Sequence, residues 1–202
     1  MNIESTTQKH WHETSYVKLV ESIQYIAQNY HDVYALALYY YCDDDEPCFP
    51  KVELNFNTNQ QFQAQISEAS SQAEAKWNYA YWLQQPSWDI GGENDQLLAQ
   101  WFEQTPFYYS QKQMEYAEQE DGALFNELLE KGEQFAQLFI TQIIKMVQQL
   151  FSENILQDTF GKNLPVIIHE LEYYEEPISW TKRANPSALI NEFIDACESD
   201  FS

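Results

Sequence analysis

Residues 33–41 read Val-Tyr-Ala-Leu-Ala-Leu-Tyr-Tyr-Tyr. Apolar side chains fill both alternating sets, and β-branched and aromatic types are frequent. The stretch is therefore expected to be a central strand covered on both faces. A turn-rich acidic segment, CDDDEPCFP, follows at 42–50. Val52, Leu54 and Phe56 then alternate with Lys51, Glu53, Asn55 and Asn57. That alternation predicts a second strand with one wet face, paired with the first as a hairpin.

Helical spacing flanks the hairpin on both sides. Before it, Tyr16, Leu19, Val20, Ile23, Ile26, Ala27 and Tyr30 recur as one stripe, predicting a helix over 14–30. The polar residues 1–12 are expected to be a mobile N-terminal segment. After it, Asn57 or Thr58 can cap a helix running to about Ala75. Residues 76–90 carry Trp77, Tyr79, Tyr81, Trp82 and Trp88 with a period ambiguous between strand and loop. Gly91-Gly92 breaks the chain, and Glu93 to Gln104 reads as a short helix. Residues 105–121 have no clean period.

The longest apolar stripe runs from Gly122 to Ser152 and predicts a core helix. Gly132 lies inside it, where glycine costs about 1 kcal/mol relative to alanine. It reads as a tolerated glycine or the mark of a close helix crossing. Val166 to Glu172 is expected to be another strand, and 177–184 a loop or short helix. Asn185-Pro186 reads as a helix start, with asparagine as cap and proline at the first helical position. Strands and helices mix without βαβ alternation. The expectation is a single α+β domain over 1–202, with a small, mainly antiparallel sheet covered by helices and one long central helix.

Composition excludes several function classes. The chain has 32 acidic and 10 basic side chains, a net charge of −22, and Arg183 is its single arginine. A nucleic-acid binder needs a basic footprint to displace counterions, so no nucleic-acid partner is expected. Attachment to anionic lipid through a polybasic patch is excluded on the same ground. The apolar stretch 138–151 is interrupted by Gln142, Lys145, Gln148 and Gln149, so no membrane partner is expected. A 44% hydrophobic content argues for a packed core rather than disorder. With no basic n-region or apolar h-region at the start, the expected location is cytoplasmic. Cys42, Cys48 and Cys197 fit no zinc or redox spacing.

Four constellations could carry chemistry. Asp43-Asp44-Asp45-Glu46 offers oxygens to a hard cation, but the glycine and closing glutamate of an EF-hand are missing. A solvated hairpin tip is the competing reading. His10 and His12 would share a face in a strand, yet nothing else completes a zinc set. His169-Glu170 resembles the start of a zincin helix, but Tyr173 stands where the second histidine is required. Glu170, Glu172, Glu175 and Glu176 form a second acidic cluster. No nucleophile elbow, Walker loop or dinucleotide fingerprint is present, so no catalytic residue, metal or cofactor is assigned. Trp77, Trp82 and Trp88 belong to a dense aromatic set that reads either as packing or as a binding surface.

The order of segments resembles the bacterial "domain of unknown function 4303" family. The carrying stretches are VYALALYYY with its acidic turn, VELNFNTNQQF, KWNYAYW, VIIHELEYYEE and ANPSALINEFIDA. The resemblance implies a single-domain bacterial protein of an immunity or accessory type. It supplies no catalytic residues.

The favoured expectation is a non-enzymatic protein-binding module that neutralises a basic partner, such as a nuclease toxin, through an acidic, aromatic-rich surface. Its binding candidates are Asp43, Asp44, Asp45, Glu46, Trp77, Trp82, Trp88, Glu170 and Glu172. The alternatives are a carboxylate-based or metal-dependent hydrolase and an oligomeric accessory subunit. The charge is unevenly spread: residues 93–133 hold ten acidic and two basic side chains, and 166–202 hold eight and two. If those segments meet, they define a face.

Overall fold

The computed structural model describes residues 5–43, 46–83 and 88–200, with side chains to 198. The chain is an α+β protein, with a four-stranded, mainly antiparallel sheet among the described residues. The strands are β1 (Val33–Cys42), β2 (Pro50–Thr58), β3 (Trp88–Gly91) and β4 (Val166–His169). Their order across the sheet is β3-β2-β1-β4. β1 pairs antiparallel with β2, from Val33 opposite Thr58 to Cys42 opposite Pro50. β3 extends the antiparallel side, and β4 runs parallel to β1, Tyr39 opposite His169.

Both faces of the sheet are covered. On one, Leu36, Leu38, Val52, Leu54, Phe56 and Ile168 form the larger core with α1 (Thr6–Asn29), α4 (Gln96–Glu103) and α6 (Gly122–Ser152). On the other, Ala35, Ala37 and Ile167 meet Trp77 of α3 (Gln72–Trp77) and Phe193 of α9 (Ser187–Asp200). Alanines on β1 leave room for those two large rings. The sheet thus carries a layer on each face, as the two apolar sets of 33–41 predict.

Several local expectations change. The first helix begins at Thr6, capped by Ser5, and not near Thr14. Trp11 is fully buried, and its Nε1 donates to Asp95 Oδ2 at 2.9 Å, so residues 6–12 are packed helix and not a mobile segment. The expected helix over 58–75 is two pieces, α2 (Asn59–Gln65) and α3, each with its own Thr or Ser cap. The wet face expected of β2 is partly sealed: Asn57 is fully buried, donating to Tyr34 Oη at 2.9 Å and accepting from the Thr58 N–H at 3.0 Å. Residues 105–121, unread from periodicity, contain α5 (Gln111–Glu120), started by a Ser110–Gln113 capping box. α7 (Ile155–Phe160) follows α6.

β4 ends at His169 and not at Glu172, and α8 (Glu175–Ala184) lies along its outer edge. An edge strand exposes unpaired backbone groups. Here α8 supplies their partners. Thr181 Oγ1 accepts from the Ile168 N–H and donates to its carbonyl, both at 2.9 Å. Asn185 does the same for Val166, at 2.8 Å each way. The asparagine expected as a helix cap therefore spends its carboxamide on the sheet.

Gly132 marks a close approach, but of the hairpin loop and not of a crossing helix. A Cβ there would lie 2.8 Å from both Pro47 Cβ and Tyr109 Oη. The hairpin loop thus presses directly onto the α6 backbone.

Candidate functional site

β1 and β4 are parallel, so their carboxyl ends emerge side by side. Side chains from several elements converge in the space beyond those ends. A groove of about 800 Å³ opens there. Tyr39, Tyr40 and Cys42 come from the end of β1, and Glu170 and Leu171 follow β4. α6 contributes Glu130, Glu133, Gln134 and Gln137, and α8 contributes Glu176 and Trp180. Glu130, Gln134 and Gln137 are one helical turn apart, which places them on one face of α6.

The floor is aromatic and buried. Tyr40 meets Trp180 edge-to-face with centroids 5.5 Å apart, and Phe139 lies behind it at 6.3 Å. The Tyr40 hydroxyl is 3.3 Å from Cys42 Sγ. The walls are acidic. Glu130, Glu133 and Glu176 are exposed and Glu170 is half-buried. Gln137 Nε2 donates to Glu176 Oε1 at 2.8 Å, and the Tyr174 hydroxyl donates to Glu170 Oε2. No lysine, arginine or histidine is among the described residues that line the groove. Lys131, between the two α6 carboxylates in sequence, is turned to Glu127 at 2.7 Å.

The negative potential is legible in the phenols. Burial raises the Tyr40 pKa far above its ordinary value, and Cys42, Glu170 and Glu176 push it further up. Tyr174 is raised by burial, by its bond to Glu170, and by the charges of Glu170 and Glu176. Tyr39 is raised by burial and then by Glu53 and Glu170. All three stay neutral phenols. The arrangement can attract and hold an organic cation. Among the described residues no three His, Cys, Asp or Glu side chains are placed to hold a metal ion.

The residues singled out from sequence separate in space. Glu170 lies in the groove. Glu172 is exposed on the following turn and does not line it. Asp43 turns the other way: its Oδ1 lies 3.7 Å from Lys51 Nζ, and its Oδ2 accepts from the Glu93 N–H at 3.0 Å. It staples the hairpin to the Gly91-Gly92 turn, where Gly92 has a φ of +86° and a Cβ would strike Asp43 Oδ2 at 2.5 Å. Asp44 and Asp45 lie outside the described residues. Glu46 borders a separate cavity of about 430 Å³ with Cys48, Phe102 and Tyr109.

Trp77 and Trp82 are interior. Trp77 packs edge-on against Tyr34 and Phe193, and Trp82 Nε1 donates to the Lys76 carbonyl at 2.9 Å. Trp88 is half-buried against Tyr25. The aromatic surface read from these tryptophans is thus packing at Trp77 and Trp82. His10 and His12 sit on a helix, with the His12 ring nitrogens 3.0 and 3.2 Å from the carboxamide oxygens of Gln142 and Gln149.

Sequence reasoning did not single out Glu130, Glu133, Tyr40 or Trp180 as site residues. For the two glutamates the one signal was the acidity of their stretch, which does not single out either residue. The two acidic stretches, 93–133 and 166–202, meet at this groove through Glu130 and Glu133 on one side and Glu170 and Glu176 on the other.

Fold and groove together define an α+β protein with an acidic, aromatic-floored cleft at one end of its sheet. No family model, no curated protein and no solved structure matches the chain. Among the described residues, no helix is long and apolar enough to cross a membrane.

Proposed function

We propose that the chain is a non-enzymatic binding module that engages a basic protein, in the manner of an immunity protein neutralising a toxin such as a nuclease. The observation that carries this reading is the groove: four carboxylates face a cavity to which no basic side chain contributes among the described residues. A set of like charges around one cleft focuses the field and speeds encounter with a cationic surface. Nucleases need basic surfaces to hold their phosphate backbone, and an acidic cleft competes for that surface. The overall charge of −22 supports the same reading. A bacterial origin, a cytoplasmic location and kinship with the "domain of unknown function 4303" family belong to this proposal.

Co-expression with the product of the adjacent gene tests it. A complex is expected at low salt, weakening as salt rises. It should be lost when Glu130, Glu133 and Glu176 are all changed to glutamine. No complex at low salt would overturn the reading.

A further inference from the structure

Leu171 is 81% exposed, more than any other large hydrophobic among the described residues. It stands at the lip of the acidic groove, on the turn between β4 and α8. A lone exposed leucine on a loose loop means little. This turn is tied down on both sides of it. The His169 Nδ1–H donates to the Glu170 carbonyl at 2.6 Å, and Tyr174 donates to the Glu170 carboxylate. The Tyr173 hydroxyl donates to the Trp77 carbonyl at 2.8 Å and accepts from the Tyr79 N–H at 3.1 Å. The backbone around Leu171 is therefore held in a shape that presents the side chain outward.

Its surroundings are specific. Glu170, Glu172, Glu175 and Glu176 flank it in sequence, with no basic residue between Glu170 and Trp180. Tyr174, 46% exposed, adds a second partly apolar side chain on the same turn. An apolar side chain ringed by charged ones matches the apolar-core, polar-rim arrangement of a protein–protein interface.

We infer that Leu171 is the apolar anchor of the groove, received by apolar side chains interleaved with lysine or arginine on the basic protein partner. This rests on the reading of the groove as a site for a basic protein. It adds that charge alone does not satisfy the site: the partner's contacting segment alternates cationic and apolar side chains. The carboxylates set the encounter and the salt dependence, and Leu171 sets the residence time.

Fluorescence anisotropy with two labelled peptides of equal length and charge tests the inference. One alternates lysine with leucine and the other alternates lysine with serine. The full chain is expected to bind the lysine–leucine peptide about tenfold more tightly. Leu171→Ser should abolish that preference, so that the two peptides bind the variant alike. The residue is exposed, so the substitution leaves the core intact. The variant carrying Glu130→Gln, Glu133→Gln and Glu176→Gln should lose affinity for both peptides. Equal binding of the two peptides, or a preference that survives in Leu171→Ser, overturns the anchor while the acidic groove stands. Failure of both peptides to bind, or indifference of both to the glutamine variant, overturns the groove reading and the anchor with it.

Discussion

Asn185 holds Val166 from the side as a neighbouring strand would. Its Oδ1 accepts from the Val166 N–H and its Nδ2 donates to the Val166 carbonyl, both at 2.8 Å. One turn earlier, Thr181 treats Ile168 the same way. The i,i+4 spacing of a helix thus matches the two-residue repeat of a strand edge. Asn185→Ala leaves a buried donor and a buried acceptor, each costing about 1–3 kcal/mol when unpaired. The expected loss is about 2–4 kcal/mol, read as a lower urea midpoint with unchanged slope. Asn185→Asp sets a buried carboxylate against the Val166 and Thr181 carbonyls and should cost at least as much. A wild-type midpoint for Asn185→Ala would show that the edge does not depend on this pairing.

Gly132 and the hairpin loop are in direct contact, and this reverses the usual effect of replacing a helix-interior glycine. Alanine is favoured by about 1 kcal/mol on helix propensity. Here its Cβ would lie 2.8 Å from the Pro47 ring and from the Tyr109 hydroxyl. Overpacking of that kind costs about 1–3 kcal/mol. Gly132→Ala is therefore expected to lower the melting temperature, whereas Gly122→Ala, with nothing within 4 Å of the new Cβ, is not. Combining Gly132→Ala with Tyr109→Phe removes one of the two clashes and should recover part of the loss. A more stable Gly132→Ala protein would contradict the contact.

Trp11 shows where the sequence could not be read. Its helix buries Ser15 and Ser22 along with Trp11, Leu19 and Ile23, so polar residues occupy inward positions and blur the stripe. The apolar period becomes clear only from Tyr16 onward, and the partner of the Trp11 indole, Asp95, is 84 residues away. Trp11→Ala is expected to cost about 3–5 kcal/mol, measured by denaturant unfolding. A mobile N-terminus would make the same substitution silent.

The same division runs through the rest of the chain. The strand at 33–41, its hairpin and the helix over 122–152 were legible because each carries its own period over many residues. α5 was not, since it has few inward apolar side chains and its sign was the Ser110–Gln113 box alone. At the site, Glu170 was legible as part of a charge cluster. Glu130 and Glu133 were not, because surface carboxylates on a long helix look alike until the fold puts some of them across from β4. Trp180 lies on a segment too short to show a period, and Tyr40 in a strand reads as core, which it also is.

Clustered like charges should leave a mark on stability as well as on binding. Glu130, Glu133, Glu170 and Glu176 share one cleft with no basic residue among its described lining. Changing Glu133 to glutamine removes repulsion from the others, so the melting temperature at low ionic strength is expected to rise. The gain should shrink as salt screens the remaining charges. Glu118, exposed on α5 and outside the groove, serves as the control. An equal rise for Glu118→Gln would mean that only the net charge matters and the cleft is nothing special.

His169 predicts how the fold responds to acid. It is 1% exposed, with its ring against Tyr39, Tyr79 and Tyr173 at centroid distances of 4.7–5.4 Å. The Glu170 carbonyl can only accept, so Nδ1 carries the proton, and Nε2 has no hydrogen-bond partner among the described residues. Burial lowers the pKa from 6.5 to about 4, with the bond to the Glu170 carbonyl acting in the opposite direction. Between those values the unfolded chain takes up a proton that the folded chain refuses. The unfolded state then binds more protons, so stability falls as pH drops through this window. A shift of this size corresponds to roughly 3 kcal/mol. His169→Phe keeps a ring in the cage and removes the titration. Carboxylates also titrate as the pH falls, so the quantity to measure is the wild-type stability minus that of the variant at each pH. That difference should decline steadily from pH 6.5 toward 4. A difference that stays flat across the window would mean that His169 is not held neutral by its burial.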